Sequence, residues 1–106
     1  MLNFGAMISQ ENQVKQIPLD LLIPYHNHKF KLYEGERLND MLASIQQNGI
    51  LTPIIVRPMG DKYEILAGHN RTNAAKLAGL NTVPAIIKEN LSDIEAEMYV
   101  VETNLM

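Results

Sequence analysis

The segment from Tyr63 to Leu80, YEILAGHNRTNAAKLAGL, constrains the fold of this chain more than any other stretch. A β-rich run at Tyr63 to Ala67 leads through Gly68 into a polar tetrapeptide and an alanine-rich run that Gly79 ends. Aromatic and β-branched residues favour strands, whereas alanine favours helices, so this order predicts a strand, a glycine turn and a helix over Asn70 to Ala78. Such a junction requires a fold that combines a sheet with helices.

The neighbouring patterns extend this architecture. Apolar residues of Leu38 to Asn48 recur at i, i+3, i+4 and i+7, which predicts a helix that stops at Gly49. Short β-rich runs predict three more strands: Ile17 to Leu19 as an edge strand before a turn at Pro24, Ile54 to Val56, and Val83 to Ile87. Pro58 and Gly60-Asp61 separate Ile54 to Val56 from the strand at Tyr63 to Ala67. We therefore expect an α+β fold with a small mixed sheet of about four strands and three main helices.

The third helix is predicted at the carboxyl end of the chain, over residues 92 to 106. Ser92 and Glu95 form a capping box, and an apolar stripe follows at Ile94, Met98, Val101 and Leu105. Because no terminator follows the stripe, we expect these residues to begin a helix that continues in a longer protein. Residues 1 to 15 lack a sustained period and are predicted to form a flexible arm.

Composition limits the classes of function. The 106 residues suit one domain, and the absence of cysteine excludes disulfides, thiolate metal sites and cysteine nucleophiles. Nine Lys and Arg against twelve Asp and Glu give a net charge of −3, so any site for a polyanion has to be local. No run approaches the roughly 20 apolar residues that span a bilayer, which predicts a cytoplasmic protein without membrane contact.

The glycine turn is the first candidate site. A helix amino terminus presents unpaired amides and the positive end of its dipole, Gly68 lets the backbone approach a phosphate, and Arg71 adds a forked charge. His69, Asn70, Thr72 and Asn73 supply further polar groups beside them. The alternative is structural: Gly68 only permits a turn, Asn70 or His69 caps the helix, and Arg71 forms a surface ion pair. Neither a Walker loop nor a Rossmann fingerprint is present.

Two other segments carry candidate residues. In GILTPIIVR, one interpretation is that Thr52 faces the same cleft as the glycine turn. The other is that Thr52 and Pro53 only start a strand, and that Arg57 keeps the end of this strand in contact with water. In HNHKFK, His26 and His28 raise the possibility of zinc, although a zinc site needs more ligands and His69 is the remaining histidine. The favoured interpretation is a basic loop with Lys29 and Lys31 that contacts phosphate or is solvated.

These segments, in this order, resemble the amino-terminal domain of the ParB partition proteins, within the ParB/sulfiredoxin fold group. The resemblance covers about residues 16 to 106 and rests on ILAGHNRTNAAKLAGLNTVPAII, GILTPIIVR and VVETNLM. It implies a nucleotide-binding core over residues 16 to 90, and a helix at 91 to 106 that leads to a DNA-binding region absent from this chain. It also implies CTP with Mg²⁺ as ligand, a homodimeric clamp on DNA through the full-length protein, and a partition ATPase as partner.

By position, the resemblance assigns nucleotide contacts to residues of three motifs. Gly68 and Arg71 match the phosphate box, His69 and Asn70 replace its usual Glu and Arg, and Thr52 stands where Gln is usual. Asn104 matches the last motif, whereas Thr103 replaces its acid, which leaves Glu102 and Asn104 as candidates for a magnesium site. Because an acid and a Gln are missing, we expect nucleotide binding with slow or absent turnover, and we expect helix 92 to 106 to form a mobile wall of the cleft.

Two enzymatic alternatives stay open. One is an ATP-dependent phosphotransferase or kinase of the same fold group, with Glu34, Glu36 or Asp40 as general base. Sulfiredoxin itself is disfavoured, since its chemistry needs a cysteine in the phosphate box. The other is a nuclease, which is disfavoured because no compact carboxylate cluster suggests a two-metal site.

Overall fold

A computed structural model describes residues 13–27 and 31–104. Five strands and three helices follow one another, with a short 3-10 turn at Leu19–Leu21 between the first two strands. The strands are β1 (Val14–Pro18), β2 (Leu22–Ile23), β3 (Ile54–Met59), β4 (Lys62–Ala67) and β5 (Thr82–Ile87). The helices are α1 (Gly35–Asn48), α2 (His69–Leu77) and α3 (Asp93–Asn104). Of the predicted amino-terminal arm, residues 1–12 lie outside the described residues, and Val14 and Lys15 belong to β1.

The strands form one mixed sheet in the order β1-β5-β3-β4-β2. β1 pairs antiparallel with β5, β5 is parallel to β3, β3 and β4 form an antiparallel hairpin, and β4 is parallel to β2. The α+β class, the mixed sheet and the three helices are therefore confirmed. The sheet has five strands instead of about four, because the two-residue strand β2 is too short to leave a pattern in the sequence.

Alternation along the strands divides the core between the two faces of the sheet. Ile54 and Val56 of β3 and Ile65 of β4 belong to the larger cluster, which Ala75 of α2 also joins. Leu66, the next residue of β4, belongs to a smaller cluster with residues of the loop after β2 and of α3: Tyr25, Ala96 and Val100. Helix α3 thus covers the face of β4 opposite to the larger cluster.

The helix boundaries follow from local chemistry. Gly49, with a φ of +69°, ends α1, and Gly79, with a φ of +80°, follows α2. The predicted capping box of α3 is confirmed, since the Glu95 amide donates to Ser92 Oγ and the Ser92 amide donates to Glu95 Oε1, both at 3.2 Å. Each bond satisfies an amide that the first turn of a helix leaves without an internal acceptor.

Two sequence-based expectations need correction. Pro58 does not end β3, which continues to Met59 before the turn into β4. The apolar stripe of α3 does not pack on the sheet: Ile94, Met98 and Val101 are 76%, 55% and 46% exposed, while the neighbouring Ala96 and Val100 are fully buried. Small Ala96 and β-branched Val100 let α3 lie close to β4, and the longer side chains then face outward. Leu105, the last residue of the predicted stripe, lies outside the described residues.

The described part of the chain contains no helix that is long and apolar enough to cross a membrane.

Candidate functional site

The turn between β4 and α2 is built around Gly68. Its φ of +106° lies in a region that side chains rarely adopt, and a Cβ there would come within 2.5 Å of Ile54 Cγ2 and 2.9 Å of Ile54 Cβ. The backbone of the turn therefore packs directly on β3. Glycine is required here by the fold, whether or not a ligand approaches.

Helix α2 begins at this turn without a side-chain cap. The first intrahelical bond runs from the Thr72 amide to the Gly68 carbonyl at 2.9 Å, so the amides of residues 69 to 71 have no intrahelical acceptor. No described side chain caps the helix, and none of its first residues is acidic. The positive end of the helix dipole is therefore not neutralised by its own sequence.

Arg71 connects this helix terminus to the segment before β3. Its Nη1 donates to the carbonyl oxygens of Thr52 and Pro53, at 2.9 and 3.0 Å. Burial lowers the pKa of Arg71, yet a guanidinium remains charged at neutral pH. Both contacts use Nη1, and the N–H groups of Nε and Nη2 form no hydrogen bond to another described residue.

Asn70 fixes the opposite side of the turn. Its Oδ1 accepts a hydrogen bond of 2.7 Å from the Tyr33 amide, which attaches the segment before α1 to the start of α2. The Arg37 guanidinium lies 3.9 Å from the centre of the Tyr33 ring, and its Nη2 donates to the Tyr33 hydroxyl at 3.1 Å. A second cation is thereby held beside the helix terminus.

A cleft of about 460 Å³ lies between α1, the segment that leads from α1 to β3, and Arg71 of α2. Its polar lining includes Arg71, Thr52, Tyr33, Arg37 and the carboxylate of Asp40, and Met41 and Ile50 contribute apolar surface. A volume of this size with a few convergent polar groups is typical of small-molecule sites. Two of the residues predicted from the sequence, Arg71 and Thr52, meet in this cleft through the bond from Arg71 to the Thr52 carbonyl.

The other residues of the predicted box occupy different positions. Thr72 is buried, and its hydroxyl donates to the Gly68 carbonyl at 2.9 Å, so this side chain supports the turn from within. Asn73 is half-buried on the next turn of α2. His69 is half-buried, and its Nε2 accepts a hydrogen bond of 3.2 Å from the Tyr25 amide. His69 therefore contacts the loop after β2, a connection that the sequence does not indicate.

Tyr25 extends that connection to α3. Its hydroxyl donates to Glu97 Oε2 at 2.5 Å, and its ring is 4% exposed. The hydrogen bond to Glu97, together with burial, raises the pKa of Tyr25 to about 12. The phenol consequently stays protonated, and the bond stays formed, throughout the physiological range of pH.

Beneath this loop, Glu64 forms a buried ionic centre. Its Oε1 accepts a hydrogen bond from Arg57 Nε at 2.8 Å, and its Oε2 accepts one from the His26 amide at 3.1 Å and lies 2.8 Å from His26 Nδ1. Burial alone would raise the pKa of Glu64, but the bonds from His26 and Arg57 outweigh it and hold that pKa below the ordinary value. Arg57 Nη1 also reaches Asp93 Oδ1, at 3.1 Å.

This arrangement changes the interpretation of two predicted residues. Arg57 is 6% exposed and buried against Glu64, so it does not solvate the end of a strand. The His26 ring contacts Glu64, and the described residues contain no group of three His, Asp or Glu side chains placed to bind a metal. Of the other residues of the predicted zinc or phosphate loop, His28 and Lys29 lie outside the described residues, and Lys31 is exposed.

The pair of Arg57 and Glu64 was not predicted, although the sequence contains a signal for it. The two residues lie directly opposite each other in the β3-β4 hairpin. They are also equally distant from the turn at Gly60-Asp61, so that counting outward from the turn finds the pair. Opposite charges at facing positions of a hairpin predict a cross-strand ion pair.

The candidates for a magnesium site lie near the end of α3. Glu102 is exposed, and no position is described for the side chain of Asn104. Thr103, which replaces an acid in the resemblance, donates to the Tyr99 carbonyl at 2.8 Å, and its hydroxyl is 3.4 Å from the Leu66 carbonyl. The end of α3 thus lies beside the last residues of β4, next to Gly68.

Comparisons with known proteins identify the family of the chain. A sequence model of the ParB N-terminal domain matches residues 5–104. The chain is 33% identical over 101 residues to a probable chromosome-partitioning protein ParB of Coxiella burnetii, which covers 95% of this chain and 35% of that protein. It is 38% identical over 99 residues to stage 0 sporulation protein J of Bacillus subtilis, with 93% and 35% covered. The chain therefore spans about a third of the length of these curated relatives.

Solved structures give the same result. The chromosome-partitioning protein ParB of Caulobacter crescentus, complexed with CTP-gamma-S, superposes with a TM-score of 0.74 at 33% identity, over 88% of this chain and 53% of that one. The same protein complexed to the centromeric parS site gives a TM-score of 0.72 at 31% identity, over 86% and 46%. Sulfiredoxin of Arabidopsis thaliana, at a TM-score of 0.61 and 21% identity over 74% and 86%, shares the fold alone.

Proposed function

Since this chain belongs to the ParB N-terminal domain family, we propose that it is the nucleotide-binding switch domain of a longer ParB-like DNA-binding protein. The proposed process is the partition of a chromosome, a plasmid or a mobile element in the cytoplasm. The homologous partition proteins and the CTP-gamma-S complex of a structural neighbour support this assignment.

One observation carries the nucleotide proposal: Arg71, in the first turn of a helix whose amino terminus has no side-chain cap, lines the same cleft as Thr52. The amides of residues 70 and 71 and the remaining donors of Arg71 would hold phosphate oxygens, as helix termini and guanidinium groups do in other anion sites. The apolar part of the cleft, at Met41 and Ile50, would receive the nucleoside.

The proposed ligand is CTP with Mg²⁺. Glu102 and Asn104 are the proposed metal contacts, because both belong to the last described turns of α3, beside the carboxyl end of β4. Carboxylate and amide oxygens are ligands that Mg²⁺ accepts, and the ion would supply positive charge against the phosphates. Thr103 has no carboxylate to bind a second metal or to orient water, so we propose that hydrolysis is slow or absent.

Base-specific contacts to DNA would belong to the part of the protein that this chain does not include. The ParB neighbour bound to parS is about twice the length of the region matched here. In the full-length protein we propose a homodimer that closes on DNA when nucleotide binds, with a partition ATPase as partner. Of the general bases considered for the kinase alternative, Asp40 lines the cleft. No hydrogen bond to another described residue orients its carboxylate, so the nucleotide switch is the proposal that we favour.

The decisive experiment is calorimetric titration of the chain with CTP and Mg²⁺, with ATP as competitor. Arg71→Ala should weaken CTP binding at least tenfold, because a hydrogen bond to a charged group contributes about 1.5–3 kcal/mol. Lys76→Ala is the matched control, since Lys76 is an exposed cation of the same helix and should leave affinity unchanged. Equal affinity of the Arg71→Ala and Lys76→Ala proteins for CTP would contradict the proposal.

A second variant separates binding from folding, because Arg71 also holds the carbonyls of Thr52 and Pro53. Asn70→Asp keeps the oxygen that accepts from the Tyr33 amide and adds a negative charge at the start of α2. That charge stabilises the helix dipole but repels phosphate. We expect an unchanged or higher melting temperature together with at least tenfold weaker CTP binding. Undiminished affinity of this variant would also count against the proposed site.

A further inference from the structure

The loop after β2 joins the proposed phosphate box to α3 through a single residue. The Tyr25 amide donates to His69 Nε2, at the first residue of α2, and the Tyr25 hydroxyl donates to Glu97 Oε2, on α3. These partners are 44 and 72 residues away in sequence. Among the described residues, Tyr25 is the one aromatic side chain in the buried core.

Packing makes this connection stiff. The Tyr25 ring belongs to the small core cluster with Leu66 of β4 and with Ala96 and Val100 of α3. Leu66 lies two residues before Gly68, so the same cluster supports the turn and the helix. A displacement of α3 has to disturb either the ring packing or the bond to Glu97.

A second polar route runs from the same loop to α3, and it is the weaker one. The His26 amide and ring contact Glu64, Glu64 contacts Arg57, and Arg57 contacts Asp93. The Asp93 side chain is 93% exposed, so water screens its bond to Arg57. Glu97 is half-buried and its partner hydroxyl is buried, which makes the bond between Tyr25 and Glu97 the stronger attachment of α3.

We infer that Tyr25 is a positioning residue that transmits nucleotide occupancy of the box to α3. The inference rests on the proposed function, and it adds the residue through which the signal passes. A ligand that contacts the start of α2 acts on the acceptor of the Tyr25 amide, while the Tyr25 hydroxyl holds Glu97. Tyr25 itself contacts no nucleotide in this proposal.

The test compares hydrogen exchange of the wild-type chain and of Tyr25→Phe, each with and without CTP and Mg²⁺. Phenylalanine keeps the backbone amide and the ring, and removes only the hydroxyl that contacts Glu97. Without nucleotide, the amides of α3 should exchange roughly tenfold faster in the variant, because a hydrogen bond to a carboxylate is lost. With nucleotide, both proteins should gain protection at residues 68–73, but only the wild type should change its exchange in α3.

Tyr99→Phe is the matched control. Tyr99 lies on α3 and packs against the same cluster, and its hydroxyl forms no hydrogen bond to another described residue. This variant should respond to nucleotide like the wild type. Glu97→Ala, which removes the acceptor from the other side, should lose the response as Tyr25→Phe does.

The outcomes separate the inference from the proposed function. If wild type and Tyr25→Phe both gain protection at residues 68–73 and respond equally in α3, Tyr25 does not transmit the signal, although the box binds nucleotide. Tyr25→Phe could also speed exchange in α3 by the same factor with and without nucleotide. Tyr25 would then have a structural role only, and the inference would be overturned. If the wild type gains no protection at residues 68–73, the proposed function fails, and the inference fails with it.

Discussion

At Gly68, two requirements coincide in one residue. The backbone needs a φ of +106°, and the contact with Ile54 leaves no room for a Cβ. The same turn exposes the amides that the proposed site uses. A substitution here therefore tests the fold before it tests the function.

We predict that Gly68→Ala destabilises the chain by about 3 kcal/mol, because a left-handed residue costs about 1–2 kcal/mol and overpacking adds a similar amount. Gly60→Ala is the control. Gly60 has a φ of +65°, but nothing lies within 4 Å of the position that a Cβ would occupy. Gly60→Ala should therefore lose only the stability that the left-handed backbone conformation costs. Urea denaturation of both variants measures the difference, and equal losses would show that the contact with Ile54 is not restrictive.

Glu64 is the second residue whose role is determined by burial. Replacement by Gln keeps its size but leaves the buried Arg57 with the exposed Asp93 as its remaining described counter-ion, and loss of a buried partner typically costs about 3–5 kcal/mol. Because the pKa of Glu64 is lowered in the folded protein, its contribution is present above the ordinary value of 4.5 and is lost as pH falls through the folded value.

We therefore predict that Glu64→Gln is less stable than the wild type at neutral pH, and that the difference shrinks as pH falls below about 4.5. Thermal denaturation monitored by circular dichroism from neutral to acidic pH measures this. Glu89→Gln, at an exposed position, should follow the wild type at every pH. A difference that stays constant through the acid range would mean that Glu64 does not titrate with folding.

Among the elements, α3 depends most on tertiary contacts. Its capping box determines where it begins, and Ala96 and Val100 determine which side faces the sheet. Tyr25 and Arg57 then attach it by polar bonds. Its outward face keeps Ile94, Met98 and Val101 exposed in this chain.

High pH should loosen α3 selectively. The pKa of Tyr25 is raised to about 12, so the bond to Glu97 contributes fully below the ordinary value of 10.0 and is lost as pH rises through 12. Between these values the wild type should lose more stability than Tyr25→Phe, which has no phenol to ionise at that position. Denaturation at stepped alkaline pH tests this, with Tyr99→Phe expected to follow the wild type. Parallel losses in all three proteins would contradict the assignment.

On the scale of the whole molecule, charge and topology favour binding of a small polyanion over binding of DNA by this chain. The net charge is −3, and the basic groups of the proposed site are local, at Arg71 and Arg37. The sheet order β1-β5-β3-β4-β2 brings the loop after β2, the box and α3 to the neighbourhood of β4. Two arginines in one cleft can bind a small polyanion, whereas DNA binding would need several cations spread over one surface.

We predict that the isolated 106-residue chain binds duplex DNA with a Kd no tighter than about 1 µM at physiological salt, because affinity from phosphate contacts needs several cations on one surface. Fluorescence anisotropy with specific and random duplexes at several salt concentrations measures this. The full-length protein on the same duplexes is the positive control. Nanomolar, sequence-specific binding by the isolated chain would contradict the division of labour.

The sequence by itself determined the local elements of this protein. The strand, glycine and helix around residue 68 and the capping box at Ser92 and Glu95 all depend on residues a few positions apart, where backbone preferences and side-chain bonds act directly. The hydrogen bond from the Thr72 hydroxyl to the Gly68 carbonyl, four residues earlier, is equally local. Motif spacing therefore predicted the strand, turn and helix on which the proposed phosphate box depends.

Only the tertiary structure decided what surrounds that box. It placed Tyr25 between His69 and Glu97, buried Arg57 against Glu64, tied Arg71 to the carbonyls before β3 and turned the apolar stripe of α3 outward. Most of these contacts join residues far apart in the chain, and their cost and benefit depend on desolvation and on the shape of the packed core. Those quantities come into existence only when the sheet and the helices assemble.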